Sequence, residues 1–295
     1  MALQTHEAVD LGASLARALS YVNAWKRKSV IVKFGGSVLA GEDQGTLIED
    51  LVLLKGAGVD PVLVHGGGPE ITRLLERLGM ESRFVNGLRV TDGETMEVVE
   101  MVLGGRTNKA IVSMLARAGG RAVGVSGKDG KVFQARRLAP ELGQVGEIEM
   151  VDTTLIRVLA DAGYIPVVAS IGIGADGESY NLNADHAAGA LAAAMGANKF
   201  ILLTDVRGVY RSGDARSLIS VLTAADARQL ITEGVVSRGM IPKVQACLDA
   251  LAAGVPTAHI IGGALPHALL VELFTEEGVG TMLVPGQPKD GDGPR

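Results

Sequence analysis

Apolar positions in this chain fall into two rhythms that take turns. Val30-Ile31-Val32-Lys33-Phe34 and Pro61-Val62-Leu63-Val64-His65 are nearly unbroken apolar runs of strand length, ending in Gly35-Gly36 and in Gly66-Gly67-Gly68. Runs of Val, Ile and Leu mark strands buried on both faces of a parallel sheet, and glycines past their carboxyl ends let backbone N–H groups approach an anion. Between such runs the apolar residues return at three- and four-residue steps, the helical spacing. The pattern predicts strand 30–34, helix 44–57, strand 61–65, helix 69–78, a polar region 82–94, helix 94–117 and strand 121–125. It continues with a hairpin insertion over 128–150, helix 153–162, strand 164–171, helix 184–196 capped by Asn183, strand 199–204, helices 223–233 and 240–253, and strand 257–261. The fold class is α/β, with an open, mostly parallel central sheet, helices on both faces and two lobes.

The expected domains are an N-terminal amphipathic helix within 1–28, a first lobe over 29–193, a second lobe over 194–286 and a disordered tail over 287–295 rich in Gly, Pro and charge. In the N-terminal segment Leu11, Leu15, Ala18, Leu19, Val22 and Trp25 share one helical face, which either packs on its own domain or contacts another subunit.

Composition narrows the partners. The chain has 295 residues, 3% aromatics and a formal net charge of −5, which argues against a nucleic-acid surface and leaves small metabolites. Cys247 is the single cysteine, so no intrachain disulfide forms and a reducing, cytoplasmic compartment is expected. Five histidines without paired spacing give no reason to expect a metal site, and no apolar stretch reaches the length of about 18 residues needed to span a membrane.

Gly172-Ile173-Gly174-Ala175-Asp176-Gly177 matches a dinucleotide fingerprint, but the following residues alternate like a strand where the fingerprint needs a helix, so it reads as a hairpin turn. No Walker A loop occurs. Lys33 closes a buried strand one residue before the glycines, where a fixed cation meets an anion. Lys243 sits at the start of a helix, the end where the dipole disfavours a cation, which invites a functional reading. Asp185, in the first turn of its helix, has a bland explanation in the same dipole. Leu203 to Tyr210 is another strand ending in a polar, glycine-bearing turn, as a second cleft at strand carboxyl ends requires.

Taken in order, VKFGGS, VHGGGP, NGLRVTD, YNLNAD, LLTDVRGV and RGMIPK resemble the motifs of the amino acid kinase family, and in particular those members that phosphorylate N-acetyl-L-glutamate. The resemblance implies a first lobe that binds the acyl amino acid and a second that binds ATP. It assigns Lys33 and Lys243 to the transferring phosphoryl group, and Asp185 to orienting both ammonium groups. Gly35 and Gly36 become donors to nucleotide phosphates, and Gly67 and Gly68 donors to the acceptor carboxylate. Arg89 would grip the other carboxylate of the substrate, and Asn181 would contact its acetylated amino acid portion. Asp205, Val206, Arg207, Gly208, Val209 and Tyr210, with Val235, Val236 and Ser237, would surround the nucleotide. Mg2+ would travel with ATP as co-substrate, held chiefly by phosphates. A carboxylate acceptor is already ionised at neutral pH, so no general base is needed.

Arginine-inhibited members of the family resemble this chain in their N-terminal helix, which links dimers into a hexamer. The resemblance therefore implies L-arginine as inhibitor, at a site near Tyr21, Lys199, His267, Glu272, Gly280 and Thr281. The loop from Glu277 to Thr281 also reads as a tight turn before the last strand. Competing readings are a related carboxylate kinase acting on a carrier-linked aminoadipate, and a non-catalytic arginine sensor.

Overall fold

The two apolar runs become neighbouring central strands. The computed structural model describes residues 12, 16, 18–35, 44–212, 214–237, 239–275 and 278–286. In chain order the first half comprises β1 (Ser29–Phe34), α1 (Gln44–Gly56), β2 (Asp60–His65), α2 (Gly68–Arg77), β3 (Phe84–Val85), β4 (Leu88–Arg89), α3 (Gly93–Glu100), α4 (Asn108–Arg117) and β5 (Ala122–Ser126). There follow β6 (Phe133–Arg137), β7 (Gly146–Val151), α5 (Thr154–Asp161), β8 (Ile165–Ala169), β9 (Ile171–Ile173), β10 (Ser179–Asn181) and α6 (Ala184–Met195). The remainder is β11 (Lys199–Thr204), β12 (Val221–Thr223), α7 (Ala224–Thr232), α8 (Ile241–Ala252), β13 (Ala258–Gly262), α9 (Ala268–Phe274) and β14 (Thr281–Val284).

The main sheet has eight strands in the order β12-β14-β13-β11-β1-β2-β8-β5. Every neighbouring pair is parallel except β13 with β14. Strands β1 and β11, from the two expected lobes, lie side by side with Lys33 opposite Leu202. A four-stranded sheet, β10-β9-β6-β7, and the β3–β4 hairpin stand apart from it.

Side chains alternate across β1 and β2, and this parity places the chemistry. Ile31, Val62 and Val64 join the core beneath α6 and α8, so Lys33, two residues after Ile31, faces those helices. Val30, Val32, Phe34 and Leu63 join the opposite core layer with α1, α4 and α9, and His65 points to that side. A third cluster, with Ile71, Leu75, Val99 and Leu103, lies beneath α2 and α3.

Several boundaries differ from expectation. The helix read over 94–117 is α3 and α4 joined by a π-helical stretch, Met101–Thr107, whose Leu103 packs against Gly67. Strand 164–171 divides at Ser170, because β9 leaves the main sheet to pair with β10 and β6. Short β12 and α9 lack a periodicity long enough to stand out, and appear only because β14 and the α1 face give them partners. The glycine run 172–177 is the turn of the β9–β10 hairpin, as its alternation implied.

The N-terminal segment is described only at Gly12 and Ala16 and over 18–25, all helical, and the expected tail 287–295 lies outside the described residues. Trp25 is buried in the α1 core layer, with the Lys28 and Lys199 ammonium groups 4.8 and 5.0 Å from its ring. Leu19 on the same segment is 60% exposed, so the helix end is tied to its own subunit and leaves an apolar side chain free of it.

Candidate functional site

Three ionisable groups meet where the sheet halves join. Asp185, in the first turn of α6, forms ion pairs with Lys33 Nζ at 2.7 Å and Lys243 Nζ at 3.2 Å. Asn183 caps α6 by accepting from the Asp185 and His186 N–H groups, which fixes where Asp185 stands. Lys243 lies in the first turn of α8, and the Asp185 carboxylate offsets the unfavourable dipole there. Burial alone would raise the Asp185 pKa, but the charges and hydrogen bonds of Lys33 and Lys243 outweigh it and hold the carboxyl below its usual range. Two cations share one anion, so the cluster carries an excess positive charge.

Two clefts open from this cluster, and Lys33 lines both. The first, about 220 Å³, is bounded by Gly66, Gly67, Gly68, Arg89, Ser170, Asn181 and Asp185 among others. An added Cβ at Gly67 would lie 2.7 Å from Leu103 Cδ2, so a larger residue there would have to push the Leu103 side chain of the π-helical stretch aside. Arg89 is 7% exposed and stacked 4.7 Å from the Phe84 ring centre. It donates to Ser82 Oγ at 2.7 Å, Thr72 Oγ1 at 2.7 Å and Gly68 O at 3.0 Å. All three acceptors are neutral, so among the described residues this buried guanidinium has no carboxylate partner. A ligand carboxylate would supply the counter-charge it lacks. Asn181 donates to Thr91 Oγ1 at 3.1 Å.

The second cleft, about 470 Å³, is lined by Lys33, Gly35, Pro69, Leu203, Thr204, Asp205, Val206, Ser237, Gly239, Met240 and Lys243. Not every nucleotide-facing expectation lands on this wall. Val209 and Val236 are buried in the core, and the Val209 N–H donates to Thr281 Oγ1 at 2.8 Å, so these two support the loop instead of lining it. Arg207, Gly208, Tyr210 and Val235 also lie off the lining, and Gly36 falls outside the described residues. Pro69, Thr204 and Met240 line the cleft without having been singled out; only their position one step from a glycine turn or a strand end pointed to them.

The expected inhibitor residues separate into groups. Lys199 and Glu272 are buried together, with Glu272 Oε1 2.5 Å from His259 Nδ1 and Oε2 accepting the Val279 N–H at 2.7 Å. Burial would raise the Glu272 pKa, but His259, the Val279 hydrogen bond and the Lys199 charge bring it below its ordinary value. His267 pairs instead with Asp50 at 2.7 Å, Tyr21 is half-buried on the N-terminal helix, and Thr281 opens β14 directly after Gly280. Gly278, Val279 and Gly280 lead directly into that strand.

Among the described residues no group of three or more His, Cys, Asp or Glu side chains converges to hold a metal, and no helix is long and apolar enough to cross a membrane. Asp185 is engaged by two lysines, so a Mg2+ ion entering with ATP fits as a phosphate-borne ion. Cys247 is buried, and burial pushes its thiol pKa well up, so it offers no nucleophile.

A model of the amino acid kinase family matches residues 28–262. An acetylglutamate kinase of Pelotomaculum thermopropionicum is 51% identical over 288 residues, covering 93% of this chain and 98% of that protein. The acetylglutamate kinase of Thermosynechococcus vestitus is 52% identical over 273 residues, 92% of each chain. Among solved structures, an N-acetylglutamate synthase from Neisseria gonorrhoeae complexed with coenzyme A and N-acetyl-glutamate superposes with a TM-score of 0.83 at 26% identity. That match covers 94% of this chain, which spans 64% of the synthase chain. A carbamate kinase from Giardia lamblia, 14% identical with a TM-score of 0.62 over 88% of this chain and 99% of its own, shares the fold.

Proposed function

The chain belongs to the amino acid kinase family, and from that premise we propose that it transfers the γ-phosphoryl group of ATP to the side-chain carboxylate of N-acetyl-L-glutamate, in arginine biosynthesis. The observation that carries this reading is the Lys33–Asp185–Lys243 cluster at the meeting of two clefts, one of which holds a buried arginine with no carboxylate partner among the described residues. A five-carbon diacid has two carboxylates to place: one against Arg89, the other by the Gly67 and Gly68 N–H groups. Asn181 then borders the acylated amino group. ATP occupies the second cleft, with Gly35, Asp205, Val206 and Ser237 along it and its γ-phosphate toward Lys33 and Lys243.

In this arrangement a carboxylate oxygen attacks the γ-phosphorus in line, the bond to the β–γ bridging oxygen breaks, and ADP leaves with that electron pair. The product is an acyl phosphate. Charge spreads over the transferring oxygens in a loose transition state, and positioning plus fixed cations supply most of the catalysis. Lys33 and Lys243 meet that charge, while Asp185 keeps their ammonium groups converged. Mg2+, when bound with ATP, neutralises phosphate charge. His65 faces away from the cleft, in keeping with an acceptor that needs no base.

On this reading residues 29–193 form the acyl-amino-acid lobe and 194–286 the nucleotide lobe, in the cytoplasm. We further propose feedback inhibition by L-arginine where the N-terminal helix meets the second lobe, and a hexamer assembled through that helix. The contact of Trp25 with Lys199 supports the first, and the exposed Leu19 the second. An assay coupled to ADP release under Mg-ATP, comparing N-acetyl-L-glutamate, L-glutamate and L-aspartate, is expected to give turnover with the first alone. No turnover with N-acetyl-L-glutamate sinks the proposal, and a non-catalytic sensor would then stand in its place.

A further inference from the structure

The glycine turn after β2 is held from behind by a buried histidine. His65 ends β2 and is 0% exposed, and strand parity turns its ring to the face opposite Asp185. There His65 Nδ1 lies 3.0 Å from Gly66 O, and Nε2 lies 3.1 Å from Nδ2 of the equally buried Asn108 at the start of α4. The Asn108 amide can adopt only one orientation. Its Nδ2 is 3.2 Å from Val125 O and 3.0 Å from Val167 O, both of which only accept, while its Oδ1 accepts from Lys109 Nζ at 3.0 Å. An amide nitrogen cannot accept, so the His65 Nε2 that faces it bears a lone pair and shares the two Nδ2 protons with the two carbonyls. An imidazole that accepts at Nε2 carries its proton on Nδ1, and that N–H donates to Gly66 O.

This matters for the reacting end of the cleft. A trans peptide is planar, so its C=O and N–H point in opposite directions. With the Gly66 C=O tied back to His65, the N–H of the same peptide, that of Gly67, faces the cleft that Gly67 lines. Between two glycines this peptide could otherwise rotate easily, and a flip would present a carbonyl oxygen to an anion in place of a donor. We infer that His65, locked as its Nδ1–H tautomer by Asn108, is a positioning residue that aims the Gly67 N–H at the acceptor carboxylate. The inference rests on the proposed phosphoryl transfer for the identity of that carboxylate. Burial, the largest influence, lowers the His65 pKa to about 4, so the neutral ring persists at physiological pH.

The test joins spectroscopy on the wild-type chain with kinetics. In protein labelled with 15N-histidine, His65 is expected at pH 7 to show a protonated Nδ1 and an unprotonated Nε2; a proton on Nε2 overturns the inference. His65→Leu, which keeps apolar bulk and loses the donor, is expected to lower kcat at least ~10-fold with KM for ATP unchanged. His65→Asn, whose amide can reach the position of Nδ1, is expected to recover most of that loss. A folded His65→Leu variant with wild-type kcat also overturns the positioning role. If that variant does not fold, the tautomer measurement still decides. Wild-type turnover of N-acetyl-L-glutamate in the same assay reports separately on the phosphoryl-transfer reading, so the two cannot fail unnoticed together.

Discussion

Asp185 shows how one side chain carries opposite consequences for stability and catalysis. The residue is 5% exposed, and its carboxylate is the counter-ion for both Lys33 and Lys243. Replacing it by Asn keeps the shape and removes the charge, leaving two ammonium groups in repulsion at low exposure. Asp185→Asn is expected to lower kcat by ~10²-fold or more and to destabilise the chain by ~3 kcal/mol, the range seen when one partner of a buried ion pair is removed. Calorimetry and steady-state kinetics on the same preparation check both parts. Lys33→Arg keeps the charge but changes a compact point donor into a wide planar fork, so turnover is expected to fall sharply while the melting temperature moves little. Unchanged turnover would contradict the role given to Lys33. Both lysines could be picked out in the sequence from their places, one closing a strand before glycines and the other at a helix start where the dipole repels it. Asp185 could not, because an acid in the first turn of a helix has an ordinary explanation until two lysines are seen beside it.

At the scale of elements, the strand-to-glycine turns were legible because buried parallel strands have an unmistakable apolar run, and the glycines that end them stand out. The elements that shape the site from outside were less so. The π-helical stretch over Met101–Thr107 reads as ordinary helix, since its backbone hydrogen bonds and not its apolar spacing distinguish it, yet it supplies Leu103 under Gly67. Gly124 in β5 is similar. An added Cβ there would collide with the Asn108 amide, so Gly124→Ala must shift α4 or displace Asn108 from His65. It is expected to cost ~1–3 kcal/mol and to lower kcat, as measured by denaturant melts and the coupled assay. Wild-type stability with normal turnover would show that α4 is not held so tightly. Removing residues 1–25 tests the N-terminal helix, with conversion of a hexamer to a dimer and weaker inhibition by L-arginine as the expected result. Light scattering that still reports a hexamer would refute the assembly role.

For the molecule as a whole, the buried neutral histidine links stability to pH. Unfolded His65 takes up a proton near 6.5, whereas the folded one resists until about 4. Between those values the unfolded state binds more protons, so stability falls as pH falls through that window. The difference corresponds to roughly 3 kcal/mol once pH is below both values. Thermal melts from pH 8 to 4 are expected to show this decline in the wild type and a shallower one in His65→Asn. Parallel slopes would remove His65 as the source.

What the sequence determined by itself was local: strands that must be buried, helices with one apolar face, glycines where a side chain would obstruct an anion, and a lysine at each of two charged ends. These follow from periodicity and from steric limits within a few residues. Which groups meet depends on the folded chain. Asp185 lies more than fifty positions from Lys243 and farther still from Lys33, and strand parity, sheet order and the packing of α6 on α8 bring them together. The same holds for Arg89, whose want of a carboxylate, and for His65, whose tautomer, are properties of neighbours that no local pattern names.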